Sequence, residues 1–260
     1  MKLKRIKNII LFASLAMGGI IAFASVKKTT SRLIKRVTVS KVIKTGQVDA
    51  PTLSLLLELA EKINPSTVNY QLSGEVSYSE GKEGTANESM PCISIRRGDD
   101  FYYRLGQTET IQQKGLNVCV DHNLKKIAIY KAIAPGFGVF PIKTDSLAQY
   151  LSTEGYRVKL EELSNTESRI VVSNPDHVRC KEFYIRFLNN KHLPLLFFSR
   201  LSNPADPDNM LLDKRISFRM DYSGKLPDSL LMVSKIIRKE GKETFSLMPA
   251  YTGYELMDLR

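Results

Sequence analysis

From Val68 to Tyr78 the chain alternates. Val68, Tyr70, Leu72, Val76 and Tyr78 fall on one side, and Asn69, Gln71, Ser73, Glu75 and Ser77 on the other. Side chains change face at every residue of a strand, so this pattern predicts a strand with one dry and one wet side. Shorter alternations follow at Ile93–Ile95, Phe101–Tyr103–Leu105, Leu116–Val118–Val120 and Ile127–Ile129. Between them stand Arg97-Gly98-Asp99-Asp100, Lys114-Gly115 and Asp121-His122-Asn123, which are turn residues. The order predicts an antiparallel meander with one apolar face in need of cover. A second run of strands is predicted from Tyr156 to Tyr222. A hairpin follows around Lys239-Glu240-Gly241-Lys242, and the tail Ala250–Arg260 is expected along a sheet edge.

Two helices interrupt the strands. Asp49-Ala50-Pro51 has the form of a helix start, and Asn64-Pro65 stops it. Leu53, Leu55, Leu56, Leu57, Leu59, Ala60 and Ile63 cover a little over half the circumference. That is wider than the stripe of an ordinary surface helix, so the helix is expected in a concavity, wrapped by the sheet. A second, shorter helix begins at Thr144 or Asp145, carries Leu147, Ala148 and Leu151, and ends at Gly155. Between the runs lies Ala132–Thr144, apolar yet broken by Pro135, Gly136, Gly138 and Pro141. Its Phe137, Val139 and Phe140 must be buried or used. With Leu53, Leu56 and Leu57 they are the candidate lining for an apolar ligand; plain core is the other reading.

The formal net charge of +11 changes the picture only until it is located. Residues 1–44 contain 11 basic side chains and no acid, which leaves 27 basic residues to balance all 27 acids in the remainder. A phosphate-gripping domain needs its excess on the folded part, so no nucleic acid is expected as a partner. Within that basic stretch, Ile9–Val26 is an apolar run bracketed by Lys7 and Lys27-Lys28. Ala22-Phe23-Ala24 before Ser25 suits a cleaved signal peptide, and the length suits a transmembrane anchor contacting the membrane through residues 9–26 if uncleaved. Both remain open. The basic residues after the run oppose export by the positive-inside rule, whereas the basic start and the Ala-x-Ala favour it. The expected organisation is a signal peptide or anchor at 1–26, a basic spacer at 27–48, and one antiparallel β domain at 49–260, on the periplasmic side of a cell envelope.

Chemistry is sparse. His122, His177 and His192 share no helical or strand spacing, so no metal site is predicted. Asp206-Pro207-Asp208-Asn209 lacks the Gly and terminal Glu of a calcium loop. No nucleophile-elbow motif occurs, and no carboxylate stands beside an apolar set in a way that predicts a raised pKa. No catalytic residue, enzyme activity or cofactor is predicted. The cysteine count of three is odd and points to free thiols; Cys92 and Cys119 can pair only if their strands are neighbours.

The element order carries a family likeness. The entry helix Pro51–Ile63, the strand Val68–Tyr78, the meander Phe101–Gln107, Thr110–Gln113, Leu116–Asp121, and the Leu212–Gly224 stretch LDKRISFRMDYSG together resemble the superfamily of outer-membrane lipoprotein carriers, over about residues 50–258. The resemblance implies a mainly β fold: a large curved antiparallel sheet, or half-open β-barrel, with the N-terminal helix and a second short helix as a lid over its concave face. It implies a non-enzymatic envelope protein that holds an acyl chain or lipoprotein. The alternative is a membrane-tethered protein–protein interaction module of an envelope assembly, with its core filled by its own chain.

Overall fold

The computed structural model describes residues 49–63, 69–80, 88–132, 144–203, 205–241 and 244–260. Helix α1 (Ala50–Lys62) precedes six strands: β1 (Asn69–Glu80), β2 (Glu88–Arg97), β3 (Asp100–Leu105), β4 (Thr108–Gln113), β5 (Leu116–Asp121) and β6 (Lys126–Lys131). Helix α2 (Thr144–Thr153) leads to β7 (Arg157–Glu162), β8 (Glu167–Ser173), β9 (Cys180–Leu188), β10 (Leu193–Leu201) and β11 (Lys214–Asp221). The chain ends in 3-10 turns with three short strands, β12 (Ile237–Lys239), β13 (Phe245–Leu247) and β14 (Glu255–Asp258).

Hydrogen bonding orders twelve strands β14-β6-β5-β4-β3-β2-β1-β11-β10-β9-β8-β7, with β12 and β13 as a separate hairpin. The pairs are antiparallel wherever consecutive strands join through a turn, and β14 adds to β6 in parallel. This corrects the expected half-open β-barrel. The row is open, with β14 and β7 at its ends, and hydrogen bonding does not close it into a barrel. The expected membrane-crossing helix is not among the described residues, none of whose helices is long and apolar enough to cross a membrane. The 9–26 run and the 27–48 spacer lie outside the described residues.

The chain divides into two compact units. The first holds α1, α2, the end of β1, β7 to β10 and most of β11. Asp49 caps α1, its carboxylate accepting from the Thr52 amide at 2.9 Å, and Pro51 sits in the first turn where no amide partner is needed. The helix packs on β7 and β10. It is not wrapped: Thr52, Leu56, Leu59 and Ala60 are buried, whereas Leu53, Leu55 and Leu57 are half-buried. Spacings of four, three and one residues describe a single stripe, so the extra leucines flank the contact instead of meeting a second wall. At its last turn, Lys62 donates to the Lys191 and His192 carbonyls at 3.1 and 2.9 Å, and Glu58 meets His192 Nδ1 at 2.9 Å. These bonds clamp the helix to the turn between β9 and β10, where His192 has φ of 46°.

In the second unit, cross-strand register aligns Ile95, Tyr102, Ile111, Val118 and Ile129 into one row across β2 to β6. All five are buried. The alternation expected in β3 is corrected here. Tyr102 faces this row, while Phe101, Tyr103 and Leu105 share the opposite face, Leu105 buried and the other two half-buried. Cys92 in β2 and Cys119 in β5 have β3 and β4 between them, roughly 14 Å of strand spacing, so they cannot bridge. All three cysteines are free.

Candidate functional site

The apolar face of the meander is where a ligand would sit, and the chain's own C-terminal segment occupies it. Leu231, Val233, Ile236 and Ile237 join Ile95, Tyr102, Ile111, Val118, Val120, Ile127 and Ile129 in one buried cluster. Leu226, Leu230, Phe245, Leu247, Tyr251, Tyr254 and Leu256 pack around it. Two 3-10 turns, Asp228–Leu231 and Val233–Lys235, and the start of β12 deliver the four aliphatic side chains from Leu231 to Ile237. The Val233 amide donates to Gln113 Oε1 at 3.3 Å, and the Met248 amide to the Ile236 carbonyl at 2.9 Å, which ties the cover to the sheet and to the hairpin. The expected cover was the two helices; in this unit it is residues 226–256.

A buried polar cluster secures the end of that cover. Glu109 aligns with Ile93, Arg104, Val120 and Ile127, so its carboxylate stands on the apolar face, 8% exposed. A carboxylate there needs donors, and it has them. Tyr102 donates to Oε2 at 2.8 Å, and His122 Nε2 meets Oε1 at 3.1 Å with Tyr251 at 3.4 Å. With Nε2 carrying the proton, His122 Nδ1 accepts from the Tyr254 hydroxyl at 2.9 Å. Burial, and then the charge of Glu109, pushes the Tyr251 phenol up to about 12, so it remains a donor. Both carboxylate oxygens are engaged, and the contacts of Tyr251 with Glu109 and of Tyr254 with His122 fasten the tail to the meander. The sequence reading missed it, although Glu109 shares the parity of Ile111.

Of the site residues expected from sequence, the described residues include the three on α1. Leu56 is buried in the α1 contact and Leu53 and Leu57 flank it. Phe137, Val139 and Phe140 lie outside the described residues. Among the described residues no group of three His, Cys, Asp or Glu side chains is placed to hold a metal ion. Asn209, from the loop that faintly suggested calcium, instead accepts from the Leu211 amide at 3.1 Å. Burial pushes the Cys92 thiol up to about 12 and the Cys180 thiol up to about 11, the direction of an inert thiol.

In the first unit the core includes a buried charge pair. Lys181, 3% exposed, donates to Asp213 Oδ1 at 2.8 Å, and Asp213 is fully buried. Asp213 Oδ2 has no hydrogen-bond partner among the described residues, with Arg200 Nε 3.9 Å away. Beside it, the Tyr156 hydroxyl donates to the Cys180 carbonyl at 2.7 Å. His177 Nδ1 accepts from the Arg179 and Cys180 amides at 3.2 and 3.1 Å, while Nε2 faces Glu154 at 3.6 Å. Burial holds the His177 imidazole below its ordinary value.

No protein-family model matches this chain. No curated protein matches it either. Among solved structures it is similar to the Pseudomonas aeruginosa MucA/MucB complex, at 18% identity and a TM-score of 0.40. The match covers 71% of this chain and 62% of that one, so the chain spans less than two thirds of the matched protein. An uncharacterized conserved protein from Thermus thermophilus matches at 8% identity and a TM-score of 0.36, over 78% of this chain and 98% of that one. A LolA superfamily protein from Nitrosomonas europaea matches at 8% identity and a TM-score of 0.26, over 68% and 97%. A LolA superfamily protein, of the kind expected from element order, is thus among the distant structural likenesses.

Proposed function

We propose that this chain is a non-enzymatic protein–protein interaction module of the cell envelope, on the periplasmic side, with a core filled by its own chain. The observation that carries the reading is the occupied apolar face: Leu231, Val233, Ile236 and Ile237 lie on the row from Ile95 to Ile129. An acyl chain competing for that face would have to displace four buried aliphatic side chains, each worth about 2 kcal/mol of burial. The envelope placement rests on the basic, apolar, Ala-x-Ala order of the N-terminal residues. Exposed apolar residues remain for partners: Met210 and Leu211 are 59% and 57% exposed.

Native mass spectrometry of the full chain purified from cells tests the reading. The expected spectrum shows the bare polypeptide, or the polypeptide with a protein partner. A stoichiometric co-purifying lipid or acylated peptide contradicts it.

A further inference from the structure

The sheet of the first unit has two unlike faces. One is the buried face with Val158, Ile170, Ile185, Phe197 and Phe218. The other is half-exposed, and register fixes what lies on it. Across β7 to β11, Lys159, Val171, Tyr184, Phe198 and Ser217 are partners in turn. At the centre of that row Tyr184 and Phe198 stack, ring centroids 4.7 Å apart and planes 19° apart. The flanking rows are rich in arginine. One begins at Arg157 and runs to Arg200 and Arg215, and the other runs through Arg169 and Arg186 to Arg219. Basic side chains outnumber the two acids in these rows, Glu161 and Glu182.

The face already binds carboxylates of its own. Arg169 meets Glu161 at 2.7 Å, Arg186 meets Glu167 at 2.7 Å, and Arg200 meets Glu182 at 3.5 Å. Arg157, Lys159 and Arg219 are exposed and make no ion pair with the described residues. From β7 to β11 is roughly 19 Å, the length of about six extended residues. We propose that this face docks an acidic, aromatic-bearing polypeptide segment of a protein partner. Its carboxylates reach Arg157, Lys159 and Arg219 at the margins, and its apolar side chains lie on the half-exposed strip of Val171, Leu196 and Phe198. Guanidinium groups suit planar carboxylates, and charge complementarity selects such a partner over basic or neutral ones. A single-stranded nucleic acid fits less well. Tyr184 is covered by Phe198 on one side and carries Arg169 5.3 Å from its ring centroid, so this row offers no succession of open rings for bases to stack on. This inference deepens the interaction-module reading and rests on it.

The test titrates a fluorescein-labelled peptide of Glu-Glu-Phe repeats into the full chain. The expected result is saturable binding that weakens with salt and falls when Ser replaces Phe in the peptide. Combining Arg157→Glu, Lys159→Glu and Arg219→Glu weakens binding roughly tenfold or more, as expected for removing steering and contact charges from an exposed surface. A control with Lys131→Glu and Lys239→Glu leaves it unchanged. Absence of binding, or binding indifferent to the triple reversal, overturns the proposal. So does equal, equally sensitive binding of a single-stranded oligonucleotide or an anionic phosphatidylglycerol vesicle. The two claims fail separately. A co-purifying lipid removes the module reading and leaves the titration to decide this face; an indifferent titration removes this face and leaves that reading standing.

Discussion

Asp213 is the residue on which the first unit depends most sharply. It is fully buried, paired with Lys181, and short of one hydrogen bond. Removing one partner of a buried pair strands the other charge. Asp213→Ala should therefore cost about 3 kcal/mol or more in denaturant unfolding. Replacing both, as Lys181→Met with Asp213→Leu, should recover most of that loss, because a buried pair is close to neutral against apolar packing. His177 gives a pH signature. Burial lowers its folded value below the ordinary 6.5, with Glu154 opposing and Arg179 adding to the shift. The unfolded chain then binds the proton more readily, so this contribution is fully present above 6.5 and is lost as pH falls from there through the lower folded value. His177→Asn keeps an acceptor for the Arg179 and Cys180 amides and removes the titration. Urea midpoints measured across this range should decline toward acid in the parent chain and less steeply in the variant.

At the scale of elements, α1 was legible and its surroundings were not. The Asp49 cap, Pro51 and the leucine spacing appear in the sequence as they do in the helix. Counting apolar positions could not tell one buried stripe with half-buried flanks from a fully wrapped helix. Leu56→Ala should cost about 3 kcal/mol, whereas Leu53→Ala or Leu57→Ala should cost about 1. Near-equal losses at all three would restore the wrapped helix. The β3 register was ambiguous because Phe101, Tyr102 and Tyr103 are consecutive aromatics, and either parity offers an apolar face. Glu109 was readable in principle, since it alternates with Ile111, but its donors come from positions 102, 122 and 251, which no local window joins. The cover over the meander left least trace. Leu231, Val233, Ile236 and Ile237 arrive on 3-10 turns and a short strand, with no period of two or 3.6 to announce them.

At the scale of the whole molecule, an open row of strands carries two differently covered apolar surfaces. The first unit places α1 on β7 and β10; the second closes its own face with residues 226–256 and fastens the end through Glu109, His122, Tyr251 and Tyr254. On the proposed reading, that arrangement reserves the buried surfaces for folding and leaves exposed side chains for partners, and so separates this chain from a carrier of acyl chains. The separation can be measured directly by titrating a fluorescent long-chain fatty acid into the delipidated full chain. Emission rising only linearly, as for free probe, is the result expected of a core already filled by Leu231, Val233, Ile236 and Ile237. Saturable, one-to-one uptake that displaces this segment would contradict it.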